Sequence, residues 1–299
     1  MTRSSRQTLD PSRPPRDYFG PVRPDGRWSL AGCQGKYFAP VPIEPIQLGN
    51  FRGLHAPGQP GRNPVLCVHG AFSCPEQLQP LLETFGAAGI PAYAFALRGH
   101  GAGDRVDGAR IADYVMDVLA MIRQLGAPPV LVGHSMGGLV VLKVAETGNC
   151  RGAVLVAAAP PVAVRPTPAS LSVFVKLLPK ILLGATVAPP LEDLRRISLR
   201  QVEASLQQRI LDTFVPESGA ALRDIMLGAV SVDPLKVKVP LLYLIGAKDR
   251  LVPAGQMRTA ARRYGATVRE YAEGGHSLFV EPQGEQVRRD MLDWVTQLG

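Results

Sequence analysis

Short runs of almost continuously apolar residues, separated by stretches of helical periodicity, constrain this chain more than any other feature. The strand-like runs are Val65 to Val68, Ala92 to Leu97, Val130 to Val132, Ala153 to Ala157 and Leu241 to Ile245. They lack the alternation of a strand with one wet face and read as strands buried on both sides. Between them, Ile111, Tyr114, Val115, Val118, Leu119 and Ile122 recur at spacings of three and four. Gly126 and the Pro128-Pro129 pair stop that pattern. Strand and helix in alternation predict an α/β fold with a mostly parallel central sheet and helices on both faces.

A chain of 299 residues that is 46% hydrophobic and 19% charged can bury a sizeable core, which excludes a disordered protein or a disulfide-stapled mini-domain. The formal charge of +8 would suit an anionic partner. Its arginines, however, are spread along the whole chain with no run of five and no zinc-finger spacing, so no nucleic-acid partner is expected. Cysteines 33, 67, 74 and 150 match neither a C-x-x-C site nor a compact disulfide framework, and are expected to be reduced and mostly buried. The N-terminus has no apolar h-region and no run reaches eighteen apolar residues, so the expected address is cytoplasmic.

Residues 1–30 hold six arginines, three aspartates and five prolines with few apolar side chains. We read residues 1–40 as an arm that cannot bury enough surface to offset its own ordering entropy. The core spans 41–299. Within it, residues 161–232 break the strand and helix alternation with helical stretches such as SLSVFVKLLPKILL and DLRRISLRQVEASLQQRILDTF. An insertion of this size between two core strands reads as a helical cap, since structureless loops longer than about fifteen residues are uncommon in compact domains.

The chemistry is carried first by Gly133-His134-Ser135-Met136-Gly137, a G-x-S-x-G sequence between an apolar strand and a helical run. A serine at such a strand-to-helix turn is held in a strained backbone conformation costing about 1–3 kcal/mol, and the adjacent helix start directs free N–H groups at the same point. His69-Gly70-Ala71-Phe72 directly follows the strand at 65–68. The backbone N–H of Ala71 can pair there with that of Met136 as an oxyanion hole. Asp249 follows the strand at 241–245, and His276 follows a last strand candidate, Val268 to Tyr271.

In the order Ser135, Asp249, His276 the chain resembles the α/β-hydrolase superfamily, and HGAF, RGHG at 98–101, GHSMGG at 133–138, GAKD at 246–249 and GGHS at 274–277 look like its successive landmarks. The resemblance covers about residues 41–299. It implies Ser135 as nucleophile, Asp249 as acid, His276 as base, and residues 161–232 as a lid over an acyl pocket. The GHSMGG form is most similar to capped esterases, monoacylglycerol-lipase-like and lysophospholipase-like enzymes. HGAF departs from the HGGG of many lipases, and a serine at 135 departs from the aspartate of epoxide hydrolases and haloalkane dehalogenases.

Asp249 could cap a helix start, and His69 and His100 fit loop-bracing roles better than proton transfer. His134 fills the x position of the elbow, and Cys67 and Cys74 suit buried unreactive thiols. Residues 99–104 place Asp104 where a dinucleotide loop needs glycine, and no metal-ligand spacing occurs, so no cofactor or metal is implied. Leu171, Phe174, Val175, Leu178, Ile181 and Leu182 form an apolar stripe, read either as a helix packed on the core or as a pocket roof, with Lys176 and Lys180 suggesting a weak lipid-surface contact. The expectation is a serine hydrolase acting on a small-molecule acyl substrate, a lipophilic carboxylic ester. A thioesterase, amidase, perhydrolase or carbon-carbon hydrolase would use the same triad, and a non-catalytic ligand-binding module is the alternative from another class.

Overall fold

The computed structural model describes residues 41–101 and 108–298. The proposed arm at 1–40, with Cys33, and the end of the 99–104 segment lie outside the described residues.

The sheet begins with the antiparallel pair β1 (Glu44–Leu48) and β2 (Phe51–Ala56). Then come β3 (Val65–Val68), α1 (Gln79–Ala87), β4 (Ala92–Phe95), α2 (Ile111–Leu125), β5 (Val130–His134), α3 (Met136–Ala145) and β6 (Gly152–Val156). The next segment carries α4 (Leu171–Leu183), β7 (Thr186–Val187), α5 (Leu191–Ile197), α6 (Ala204–Leu211), β8 (Glu217–Ser218) and α7 (Gly219–Leu227). The chain returns to the sheet with β9 (Leu241–Gly246), α8 (Ala254–Arg263), β10 (Thr267–Tyr271) and α9 (Gly284–Thr296).

Strand order in the main sheet is β1-β2-β4-β3-β5-β6-β9-β10, parallel from β4 to β10. This is the mostly parallel sheet expected from the alternation, in the α/β-hydrolase fold that the resemblance in the motifs implied. The strand pleat splits the core in two. Leu241, Tyr243 and Ile245 of β9 join Leu66, Leu131 and Leu155 against α2, α3 and α8. Leu242 and Leu244 join Val65, Val132 and Val154 against α1 and α9. Both faces are therefore covered, which is why the strands read as continuous apolar runs.

Several local expectations shift. The run at 92–97 is a strand only to Phe95, because the backbone then turns so that His100 N–H reaches Leu97 O. The long helical stretch at 193–214 divides into α5 and α6, since Leu199 N–H closes on Leu194 O, one residue beyond the helical spacing, and Glu203 is extended before α6. The two-residue strands β7 and β8 pair antiparallel and were not anticipated. Among the described residues no helix is long and apolar enough to cross a membrane, and no group of three His, Cys, Asp or Glu could hold a metal ion.

Candidate active site

Ser135 occupies the bend between β5 and α3 with φ 54° and ψ −118°, a backbone conformation side chains rarely adopt. The surroundings hold it there. Its N–H donates to Val156 O, and its carbonyl accepts from Gly138 and Ala159, all at 3.0 Å. The flanking glycines permit the bend. A Cβ on Gly137 would sit 2.4 Å from Val68 O and 2.5 Å from His69 O, and one on Gly133 would sit 2.3 Å from Gly137 O. Bare backbone is thus what lets α3 start against the end of β3.

That contact brings the HGAF loop beside the serine, where a Cβ on Gly70 would lie 3.1 Å from Ser135 Cβ. Neither the Ala71 nor the Met136 N–H meets an acceptor among the described residues. Met136 is buried, so its free amide is one an incoming oxygen could satisfy.

Asp249 and His276 arrive from the far end of the chain. Nδ1 of His276 is 2.8 Å from Oδ2 of Asp249, with both side chains buried. The other oxygen, Oδ1, accepts from the amides of Leu251 and Val252 at 2.8 and 3.0 Å. Asp249 therefore holds the imidazole and turns its own loop, but it does not cap the following helix as its sequence context also allowed, since α8 starts after Pro253. Burial disfavours the charged imidazole, but the Asp249 carboxylate outweighs this and the His276 pKa is raised above its ordinary 6.5. Neither Nε2 of His276 nor Oγ of Ser135 has a hydrogen-bond partner among the described residues, and both residues line one cavity.

The cavity, of about 130 Å³, runs from Ser135, Met136, Ala71 and His276 to Phe174, Leu177, Ile181, Leu194, Phe214 and Met226. Its far wall is thus apolar and comes from the segment between β6 and β9. The expected stripe on α4 is divided by this wall. Phe174 and Ile181 line the cavity together with Leu177, whereas Leu171, Val175, Leu178 and Leu182 are exposed. Helical spacing of 100° per residue puts 174, 177 and 181 on one face and 171, 175, 178 and 182 on the next.

Two roles near the base escaped the sequence reading. His134 Nε2 is 3.0 Å from the carbonyl of His276, so the x residue of the elbow braces the base's loop, and burial takes its pKa down to about 3. Glu281 is buried and accepts from the amides of Gly275 and Ser277 at 2.6 and 3.0 Å, one on each side of His276. The signal was the four-residue spacing from Ser277 to a carboxylate, which an exposed Glu would share. His69 behaves as anticipated: Nδ1 faces Gly70 O at 2.9 Å and Nε2 accepts from Leu97 N–H at 3.2 Å, which fixes a neutral ring. Cys67, Cys74 and Cys150 are free and buried, and burial pushes the first two thiols up and Cys150 up to about 11.

A family model described as the alpha/beta hydrolase family matches residues 65–289. The chain belongs to the α/β-hydrolase family. Within that family it is 26% identical over 250 residues to a monoacylglycerol lipase of Mycolicibacterium smegmatis, covering 78% of this chain and 88% of that one. The crystal structure of the Paleococcus ferrophilus monoacylglycerol lipase superposes with a TM-score of 0.68 at 24% identity, over 87% of this chain and all of the other. An esterase from Exiguobacterium antarcticum gives the same TM-score at 19% identity, over 84% and 98% of the two chains. The resemblance to the lipase-like and esterase-like branch thus extends well beyond the motifs.

Proposed function

We propose that this α/β-hydrolase cleaves a lipophilic carboxylic ester through an acyl-enzyme on Ser135. His276 Nε2 takes the proton as Ser135 Oγ attacks the carbonyl carbon. Asp249, on Nδ1, keeps the ring in the tautomer with Nε2 free and stabilises the cation that forms. The Ala71 and Met136 amides receive the carbonyl oxygen as it becomes negative, each such donor being worth roughly 2.7–4 kcal/mol. His276 then returns the proton to the departing alkoxide. Water, deprotonated by the same imidazole, attacks the acyl carbon and releases the acid and free Ser135. These steps need no cofactor.

The observation that carries this reading is the strained Ser135 on the wall of the cavity that also receives an imidazole locked to a buried carboxylate. The apolar far wall supports a lipophilic acyl group, with residues 161–232 as its cap. The name of the sequence relative, monoacylglycerol lipase, supports a carboxylic ester. The exposed stripe of α4, flanked by Lys176 and Lys180, supports a weak contact with a lipid surface.

The test is a panel of p-nitrophenyl esters and thioesters of graded acyl length, with fluorophosphonate labelling in parallel. The protein should turn over the esters and take the label, and Ser135→Ala should lose both while melting as before, with kcat falling about a millionfold. A folded wild type that neither labels nor turns over any ester would be a ligand-binding module instead.

A further inference from the structure

The segment between β6 and β9 sends two carboxylates into the interior: Asp224, paired with Arg110, and Glu217, which meets a cluster of donors. Glu217 of β8 is fully buried, and four donors converge on it. Tyr114 Oη and the Ser218 amide donate to Oε1 at 2.6 and 2.7 Å. His100 Nε2 lies 3.0 Å from Oε2, and the Phe72 amide donates to the same oxygen at 3.4 Å. A carboxylate offers about four acceptor sites and no donor, so it fits this ring of donors where an amide would not. His100 completes the charge balance. Its Nδ1 faces Arg98 O at 3.0 Å and its Nε2 faces Glu217, both acceptors, so the ring carries both protons. Burial opposes that charge, and the Glu217 carboxylate overrides burial to raise the His100 pKa.

Phe72 is where this network meets the site. Ser73 N–H donates to Gly70 O, closing a turn with Ala71 and Phe72 at its centre. Phe72 has φ 61°, the left-handed position at which such turns normally place glycine. Rotating the Ala71–Phe72 peptide plane by half a turn would return φ to about −120°, ordinary for an L residue. That rotation would also replace the Phe72 N–H facing Glu217 with the Ala71 carbonyl oxygen, setting it against a carboxylate. Val215 N–H, two residues before Glu217, donates to Phe72 O at 2.8 Å. Residues 215 and 217 therefore hold Phe72 at both its N–H and its carbonyl.

We infer that Glu217, charge-paired with His100, is a positioning residue that keeps the 70–73 turn in its strained form and so sets where the Ala71 amide meets the developing oxyanion. The inference rests on the serine-hydrolase reading above. It gives the RGHG landmark a purpose: its imidazole neutralises a cap carboxylate under the oxyanion loop.

The test uses Glu217→Gln and His100→Gln in the full chain, with active sites counted by a p-nitrophenyl ester burst. The kcat per titrated site should fall roughly 10- to 100-fold while KM for a short ester changes less than about threefold. Affinity for a trifluoromethyl ketone, which forms a hemiketal oxyanion on Ser135, should fall in proportion to kcat. Unchanged kcat per site with unchanged ketone affinity, and only fewer titratable sites, would mean a merely structural role and overturn the inference. His100→Gln keeps the carboxylate, so it supplies the same readout should Glu217→Gln fail to fold. A wild type without turnover or label removes the hydrolase reading and this inference together, whereas an active wild type with both variants normal per site removes this inference alone.

Discussion

Asp249 reaches His276 across 27 residues of chain with one carboxylate oxygen and fastens its own loop with the other. The two oxygens can be separated by mutation. Asp249→Asn keeps an oxygen for the Leu251 and Val252 amides but loses the acceptor that fixes the imidazole tautomer, so kcat should fall about 10⁴-fold with little change in melting temperature. Asp249→Ala loses both and should cost a further 1–3 kcal/mol or so of stability through the two orphaned amides. Denaturant titration beside steady-state kinetics checks the pair. Equal stability of the two variants would show that the loop does not depend on Oδ1.

The pH profile follows from the same contact. A general base must be neutral, and His276 has a raised pKa because Asp249 outweighs burial. Activity should therefore rise with pH, with the acid limb of kcat/KM centred above 6.5. Asp249→Asn removes the larger raising group and leaves burial opposed only by Glu281, so the residual activity should show its limb shifted to lower pH than the wild type. A wild-type limb at or below 6.5 would contradict the assignment of His276 as base.

Gly137→Ala tests the seat of the elbow. The new methyl would meet the carbonyl oxygens of Val68 and His69, which are backbone and cannot rotate aside. Stability should drop by at least about 2 kcal/mol, and turnover by more than tenfold as α3 moves from the HGAF loop. Gly255→Ala, in α8 with no atom near its would-be Cβ, is the control and should gain about 0.5–1 kcal/mol. Thermal melts of the two variants should move in opposite directions.

The two apolar faces of α4 should separate in function. Phe174→Ala and Leu177→Ala enlarge the cavity, and should raise KM for long acyl esters several-fold while sparing acetate esters. Val175→Ser lies on the exposed face, and should leave hydrolysis of soluble esters unchanged. Its effect should appear only as weaker sedimentation with anionic vesicles. An acyl-length profile that shifts for Val175→Ser but not for Phe174→Ala would reverse the orientation of the helix.

Local pattern was enough to read the parallel strands and the elbow at Ser135, and the resemblance carried by the motifs pointed to Asp249 and His276. Strands buried on both faces leave unbroken apolar runs, and a serine between close-packed glycines announces a bend that only such a sequence tolerates. The α4 stripe was legible as an amphipathic pattern, yet periodicity fixes angles around a helix and not which of two adjacent apolar faces meets the protein. Tertiary structure chose 174, 177 and 181. It also decided what Glu217 and Glu281 do. In sequence each is one carboxylate among 25 acidic residues, most of which would be solvated anywhere on a surface. Only folding brings Phe72 and His100 to Glu217, from 145 and 117 residues away, and wraps the His276 loop around Glu281. A buried charge is stable solely where enough donors converge, and that convergence is a property of packed elements that no single stretch of chain contains.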